Sequence, residues 1–227
     1  MSKLFGKPDG NWLVPAVFAC GLLVAAMVLP LWRMELVAPQ YPAGLIMYAF
    51  GDRFEGDGGT YYDDVREING LNHYIGMKPI QEVTEMDLFL PGMAALIAVT
   101  VVSCFIAWKK SWLRALIVAG FWFMPLFFVA DLQYWLYTYG HTMDPDAALD
   151  TSDFTPKVIG TTKVWNFHSE SAFEPGFYAM MMAALAITIV PPAIAIFRRR
   201  RAAGALPEQR LATASAQQHA GRGVAYD

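Results

Sequence analysis

The chain has 227 residues, 56% of them hydrophobic and 16% charged, with a mean hydropathy of +0.33. Soluble domains carry about a quarter charged residues, so composition argues against a water-soluble enzyme domain. The net charge of −3 is too small to argue for nucleic acid.

Residues 1–11, with Lys3 and Lys7, read as a short cytoplasmic N-terminus. The first apolar run, Trp12 to Trp32, is 21 residues long, enough to cross a hydrocarbon core of roughly 30 Å as a helix. Signal-peptide cores are usually about 7 to 15 residues, so this run is expected to stay in place rather than be cleaved near Ala38.

Residues 33–87 form a first outer segment. After the glycine-rich turn Gly56 to Gly59, Asp64-Val65-Arg66-Glu67 has the spacing of a capping box, with Asp64 as N-cap and Glu67 three residues on. Val65, Ile68, Leu71 and Ile75 recur at helical spacing, and Gly76 with Pro79 supplies a stop. Gly70 costs this helix about 1 kcal/mol. Asn69, His73 and Met77 are spaced four apart and so share a face turned away from the apolar stripe. Imidazole with thioether is a soft donor pair that suits copper. The competing reading is a packing or surface feature, because methionine commonly fills gaps.

The second span runs from Leu88 to Trp108, followed by a basic turn at 109–114. The third runs from Ala115 to Tyr137 and contains Asp131, about 9 Å below the outer end at 1.5 Å per residue. A carboxylate at that depth is costly and marks either a functional site or a structural acid hydrogen-bonded near the interface. The aromatic residues around it, Trp122, Phe127, Phe128, Tyr134, Trp135, Tyr137 and Tyr139, read as packing and an outer aromatic belt.

Residues 138–175 form the second outer segment. They include Gly140-His141-Thr142-Met143-Asp144-Pro145, with a turn at Asp144-Pro145, then Phe154-Thr155-Pro156 and Val164-Trp165-Asn166-Phe167-His168. His141 and Met143 follow the third span closely. If the first segment folds back over the bundle, His73, Met77, His141 and Met143 converge there. The fourth span is Gly176 to Phe197. Its Met180-Met181-Met182 points around the helix and reads as packing. Residues 198–227 are expected to be a disordered cytoplasmic tail, with Arg198 to Arg201 as a stop-transfer anchor and His219 in the remainder.

On one side of this arrangement the N-terminus, the 109–114 turn and the tail hold 11 basic and 3 acidic residues, against 6 basic and 16 acidic on the other. The positive-inside rule then places both termini in the cytoplasm. Cys20 and Cys104 fall in spans and offer neither a disulfide framework nor a thiolate metal motif. No span contains histidine, so this chain alone cannot hold a bis-histidine intramembrane haem. No internal repeat links the halves, which lowers the case for a repeat-built transporter. No Gly-x-Ser-x-Gly, His-Glu-x-x-His or phosphate-binding glycine loop supports a hydrolase or nucleotide enzyme.

The stretch Leu71-Asn72-His73-Tyr74-Ile75-Gly76-Met77-Lys78-Pro79-Ile80, Gly140-His141 with Asp144-Pro145, and Phe154-Thr155-Pro156 through Gly160 to Asn166-Phe167 resemble a family of bacterial membrane proteins. Genes of that family accompany maturation genes for the copper enzyme nitrous-oxide reductase, including a copper-carrying lipoprotein and an ABC exporter. The likeness covers about a third of the chain. It implies that His73, Met77, His141 and Asp144 are motif positions, whereas His168 is not assigned to the motif.

The sequence-level expectation is thus an all-α membrane protein, with four transmembrane helices and two extracytoplasmic loop segments forming a small cap. The expected site is a metal site of His73, Met77, His141 and Met143, with Asp131, Asp144, Asn72 and Asn166 as further candidates. The leading functional reading is a non-enzymatic accessory protein of the bacterial inner membrane that binds or relays copper on the outer face during assembly of a copper enzyme, partnered by a membrane or periplasmic protein. The alternatives are a structural subunit of a larger membrane complex without its own metal, and a small permease or quinol/proton-handling subunit using Asp131.

Overall fold

A computed structural model of the chain describes residues 10–57, 63–80, 84–105, 111–148 and 152–222, with the backbone alone at 10, 84, 111 and 202–222. In chain order its elements are α1 (Gly10–Val28), β1 (Trp32–Ala38), β2 (Tyr41–Ala49), β3 (Phe54–Gly56), α2 (Asp64–Tyr74), α3 (Thr84–Phe105), α4 (Ser111–His141), β4 (Gly160–Val164), β5 (Phe167–Phe173) and α5 (Pro175–Arg222). Lys3, Lys7, Gly58, Gly59, Lys109 and Lys110, used above for topology and for the glycine turn, lie outside the described residues.

Among the described residues four helices, α1, α3, α4 and α5, are long and apolar enough to cross a membrane. They pack in a ring in which α1 touches α3 and α5, and α4 touches the same two. On α1 the small residues Ala16, Ala19 and Ala26 are buried, as are Ala179, Ala183 and Ala184 on α5. Small side chains of this kind let two apolar helices approach closely where burial from water supplies no drive.

The fold is not all-α. A five-stranded antiparallel sheet, ordered β3-β2-β1-β5-β4, caps the end of the bundle where α1 and α4 finish and α3 and α5 begin. The alternation that builds it is present in the sequence. Leu45, Met47 and Ala49 are buried on one face of β2, with Ile46 and Tyr48 less so between them. In β4 and β5 the partly buried Thr162, Val164, Phe167 and Ser169 alternate with exposed Thr161, Lys163, His168 and Glu170. The central pairing joins β1 to β5, from Trp32 opposite Phe173 to Val37 opposite His168. The two inter-span segments expected as loops are therefore one sheet.

The first span also ends sooner than its hydrophobicity suggests. Helix α1 stops at Val28 and Trp32 opens β1, because a residue before proline disfavours helical geometry and Pro30 follows Leu29. The strand is then tied to both neighbours. Leu31 N donates to Ala49 O at 2.8 Å, Glu174 N to Leu31 O at 3.0 Å and Gly176 N to Pro30 O at 2.9 Å. Trp32, 1% exposed, donates through Nε1 to Val158 O at 2.7 Å.

At the opposite end α5 runs through Arg198–Arg201 and continues to Arg222, where composition predicted a disordered tail from Ala202. Ala, Leu, Gln and Arg dominate that stretch and are strong helix formers, and extension from an existing helix avoids the cost of nucleation.

Candidate functional site

Helix α2 carries the first set of predicted ligands. Its N-cap is Asp63 rather than Asp64: Asp63 Oδ1 accepts from Arg66 N at 3.3 Å. Asp64 instead accepts from Ile46 N at 3.2 Å, tying the helix start to β2. Ile68 is fully buried against the sheet, in one cluster with Trp32, Leu45, Met47 and Ala49. The helix closes as the sequence suggests. Gly76, at φ 84°, donates to His73 O at 3.2 Å and Met77 N donates to Asn72 O at 2.8 Å, the paired bonds of a Schellman stop.

That stop is clamped to the chain beyond α4. Gly76 O accepts from Asp144 N at 2.8 Å, and a Cβ at Gly76 would lie 2.8 Å from Ala147 Cβ and 2.9 Å from Asp144 O. Asp144 holds its own turn, with Oδ1 accepting from Asp146 N at 3.0 Å. The clamp creates a shallow cleft lined by His73, Gly76, Met77, Lys78, Pro79, Thr142, Met143 and Asp144. Three of the four predicted metal ligands, His73, Met77 and Met143, are thus on one cleft wall.

His141 is not among the residues lining the cleft. Its ring stacks on Tyr137 with centroids 3.9 Å apart and planes at 19°, and its Nδ1 lies 2.9 Å from Tyr137 O. The other candidates are spent differently. Asn69, on the face shared with His73, bonds both backbone groups of Ile80, at 2.6 and 3.2 Å. Asn72 is buried and faces an apolar cavity beneath the cap. Asn166 is exposed in the two-residue β4–β5 turn, and His168 is exposed on the side of the sheet away from Phe167 and Ser169.

Among the described residues no group of three or more His, Cys, Asp or Glu side chains is placed to hold a metal ion. The cleft's side-chain donors include the His73 imidazole, the Met77 and Met143 thioethers and Asp144, whose Oδ1 already accepts from Asp146 N, a set with more soft sulfur than zinc, calcium or magnesium sites use.

Asp131 lies in a different place, a cavity walled by Phe89, Phe127, Phe128 and Trp135 that also contains Glu85. By sequence Glu85 falls near the end of the outer segment 33–87, among its acidic residues. The signal that could have found it is its position in the first turn of an apolar helix, twenty residues from the far end at Phe105, matching the twenty residues from Ser111 to Asp131.

The fold and this geometry define a class: a multi-pass membrane protein in which four apolar helices carry a β-sheet and helix cap. Neither protein-family models nor characterised proteins give a match to the chain.

Proposed function

We propose that the protein is an accessory factor of the bacterial cytoplasmic membrane that binds or relays Cu(I) at the cap, on the outer face, during assembly of a copper enzyme. The observation that carries this reading is the meeting of His73 and Met77 from the end of α2 with Met143 from beyond α4 on one cleft. Two thioethers and an imidazole match the preference of reduced copper. The exposure of His73 and the shallow cleft suit a site that hands its ion on, because a partner's ligands can approach. The resemblance of the Leu71–Ile80 block to the family found with nitrous-oxide reductase maturation genes supports the same context, and the charge bias supports cytoplasmic termini.

The test is Cu(I) competition with a chelator of known affinity, using the detergent-purified full chain. His73→Ala, Met77→Ala and Met143→Ala are each expected to weaken binding at least about tenfold, equivalent to about 1.4 kcal/mol, while His141→Ala leaves it within about twofold. Micromolar or weaker binding that none of the three changes would remove the copper reading.

A second reading is favoured by two exposed aromatic side chains on the cap, Tyr74 at 49% and Trp165 at 59%. In it the cap is the docking surface of a larger membrane assembly, as aromatic residues are enriched at interfaces. Native-gel co-purification with one partner in the absence of copper supports it, and recovery of a free monomer under the same conditions counts against it.

A further inference from the structure

Beneath the cap two cavities adjoin. The larger, whose roughly 880 Å³ includes the solvent at its open side, lies between the sheet, α2 and the last turns of α4. The smaller, about 570 Å³, extends it toward the start of α3. Phe54, Leu132, Trp135 and Tyr139 belong to both walls, so the two spaces adjoin. Its lining is apolar and rich in aromatic rings, and at the α3 end it receives two carboxylates, Glu85 and Asp131.

The depth of those carboxylates narrows the ligand. Each is twenty residues from the opposite end of its helix, about 30 Å at 1.5 Å per residue. That is about one hydrocarbon thickness, which puts the pair near the cap-side membrane interface. Trp135 stands one helical turn beyond Asp131, and its buried Nε1 faces that carboxylate.

We propose that these adjoining cavities bind a membrane-soluble hydroquinone, its ring among the Phe89, Phe128 and Trp135 side chains and its hydroxyls donating to Glu85 and Asp131. Such a molecule matches the wall in three respects. A flat ring suits aromatic neighbours, for which offset or edge contacts are worth about 0.5–1.5 kcal/mol beyond burial. Neutral hydroxyl groups can donate to the two carboxylates. An apolar tail fills the arm between the sheet and α4, near Leu36, Met47 and Leu136. A plain acyl chain would fill the same space but bring the carboxylates no donor, which is the basis of discrimination. Met77 lines both this cavity and the His73 cleft, so ligand and ion share one wall. The proposal concerns binding alone and stands independently of copper.

The experiment uses the full chain in phosphatidylcholine nanodiscs, titrated with a decyl-tailed ubiquinol and read by tryptophan fluorescence. Saturable quenching is expected, weakened at least tenfold by Glu85→Leu and by Asp131→Leu, and largely removed by Trp135→Phe. Leu132→Trp, which fills the junction of the two cavities, is expected to abolish binding, with thermal melting of each variant verifying the fold. Absence of saturable quenching, affinity unchanged by both carboxylate substitutions, or equal binding of decanol or of phosphatidylethanolamine would overturn the assignment.

Discussion

One glycine and one tryptophan show how single positions set the geometry of the cap. At Gly140 a Cβ would fall 1.8 Å from Phe154 O, while Gly140 O accepts from Phe154 N at 3.1 Å. Only glycine lets the chain cross α4 that closely. Gly140→Ala is expected to lower stability by on the order of 3 kcal/mol, measured as a fall in melting temperature, since the obstacle is backbone and cannot swing aside. Trp165 presents the opposite case. It occupies the left-handed region at φ 52° in the β4–β5 turn, where a bulky residue is strained, and it is largely exposed. Trp165→Gly should raise the melting temperature by about 2–4 °C, as relief of roughly 1 kcal/mol does in a chain of this size. An unchanged or lower value would show that the indole makes a stabilising contact. A residue kept there at such a cost is consistent with the docking role considered for the cap.

At the level of elements, α2 and its two ends hold the site. Its apolar stripe and its glycine stop were both legible in the sequence, because helical periodicity and a left-handed glycine are local signals. The cap residue was misplaced by one position because Asp63 and Asp64 are both suitable N-caps, and only the pairing of Asp64 with Ile46 N separates them. The strands were hidden for a related reason. They are short, and the alternation of Leu45, Met47 and Ala49 acquires meaning only once β1 finds β5, more than a hundred residues away. The same distance explains the partial success with the metal site. Sequence spacing expected His73 and Met77 on one helical face, but α2 ends at Tyr74 and Met77 reaches the cleft from beyond the Gly76 stop; nor did spacing show that the turn after α4 would bring Met143 there while His141 remained against Tyr137. Because Ile68 pins α2 to the sheet, Ile68→Ala is expected to cost about 2–5 kcal/mol. Limited proteolysis should then cut between β3 and α3 before any of the apolar helices, whereas protection equal to that of the unaltered chain would mean that α2 is held by other contacts.

For the molecule as a whole, the four long helices and the cap are linked by the β1–β5 pairing, which places the two inter-span segments on the same side of the bundle. Composition revealed the helices, since runs of apolar residues of the right length have few alternatives. Opposed positions across an antiparallel pair have Cα atoms about 4.5–5.5 Å apart, within the range a disulfide spans. The double substitution Met34→Cys with Ser171→Cys, at positions that face each other in the register, should therefore cross-link under mild oxidation. Failure to cross-link, with the shifted pair Met34→Cys and Ser169→Cys reacting instead, would contradict the register and with it the shape of the cavity below.

The central functional claim is that one cleft, assembled from both inter-span segments, offers copper an imidazole and two thioethers. X-ray absorption at the copper edge of the Cu(I)-loaded full chain examines that ligand set directly. The account predicts a shell with one nitrogen and two sulfur neighbours, losing one sulfur in Met143→Ala and the nitrogen in His73→Ala. A shell of nitrogen and oxygen alone, or one identical in the unaltered chain and both variants, would contradict it.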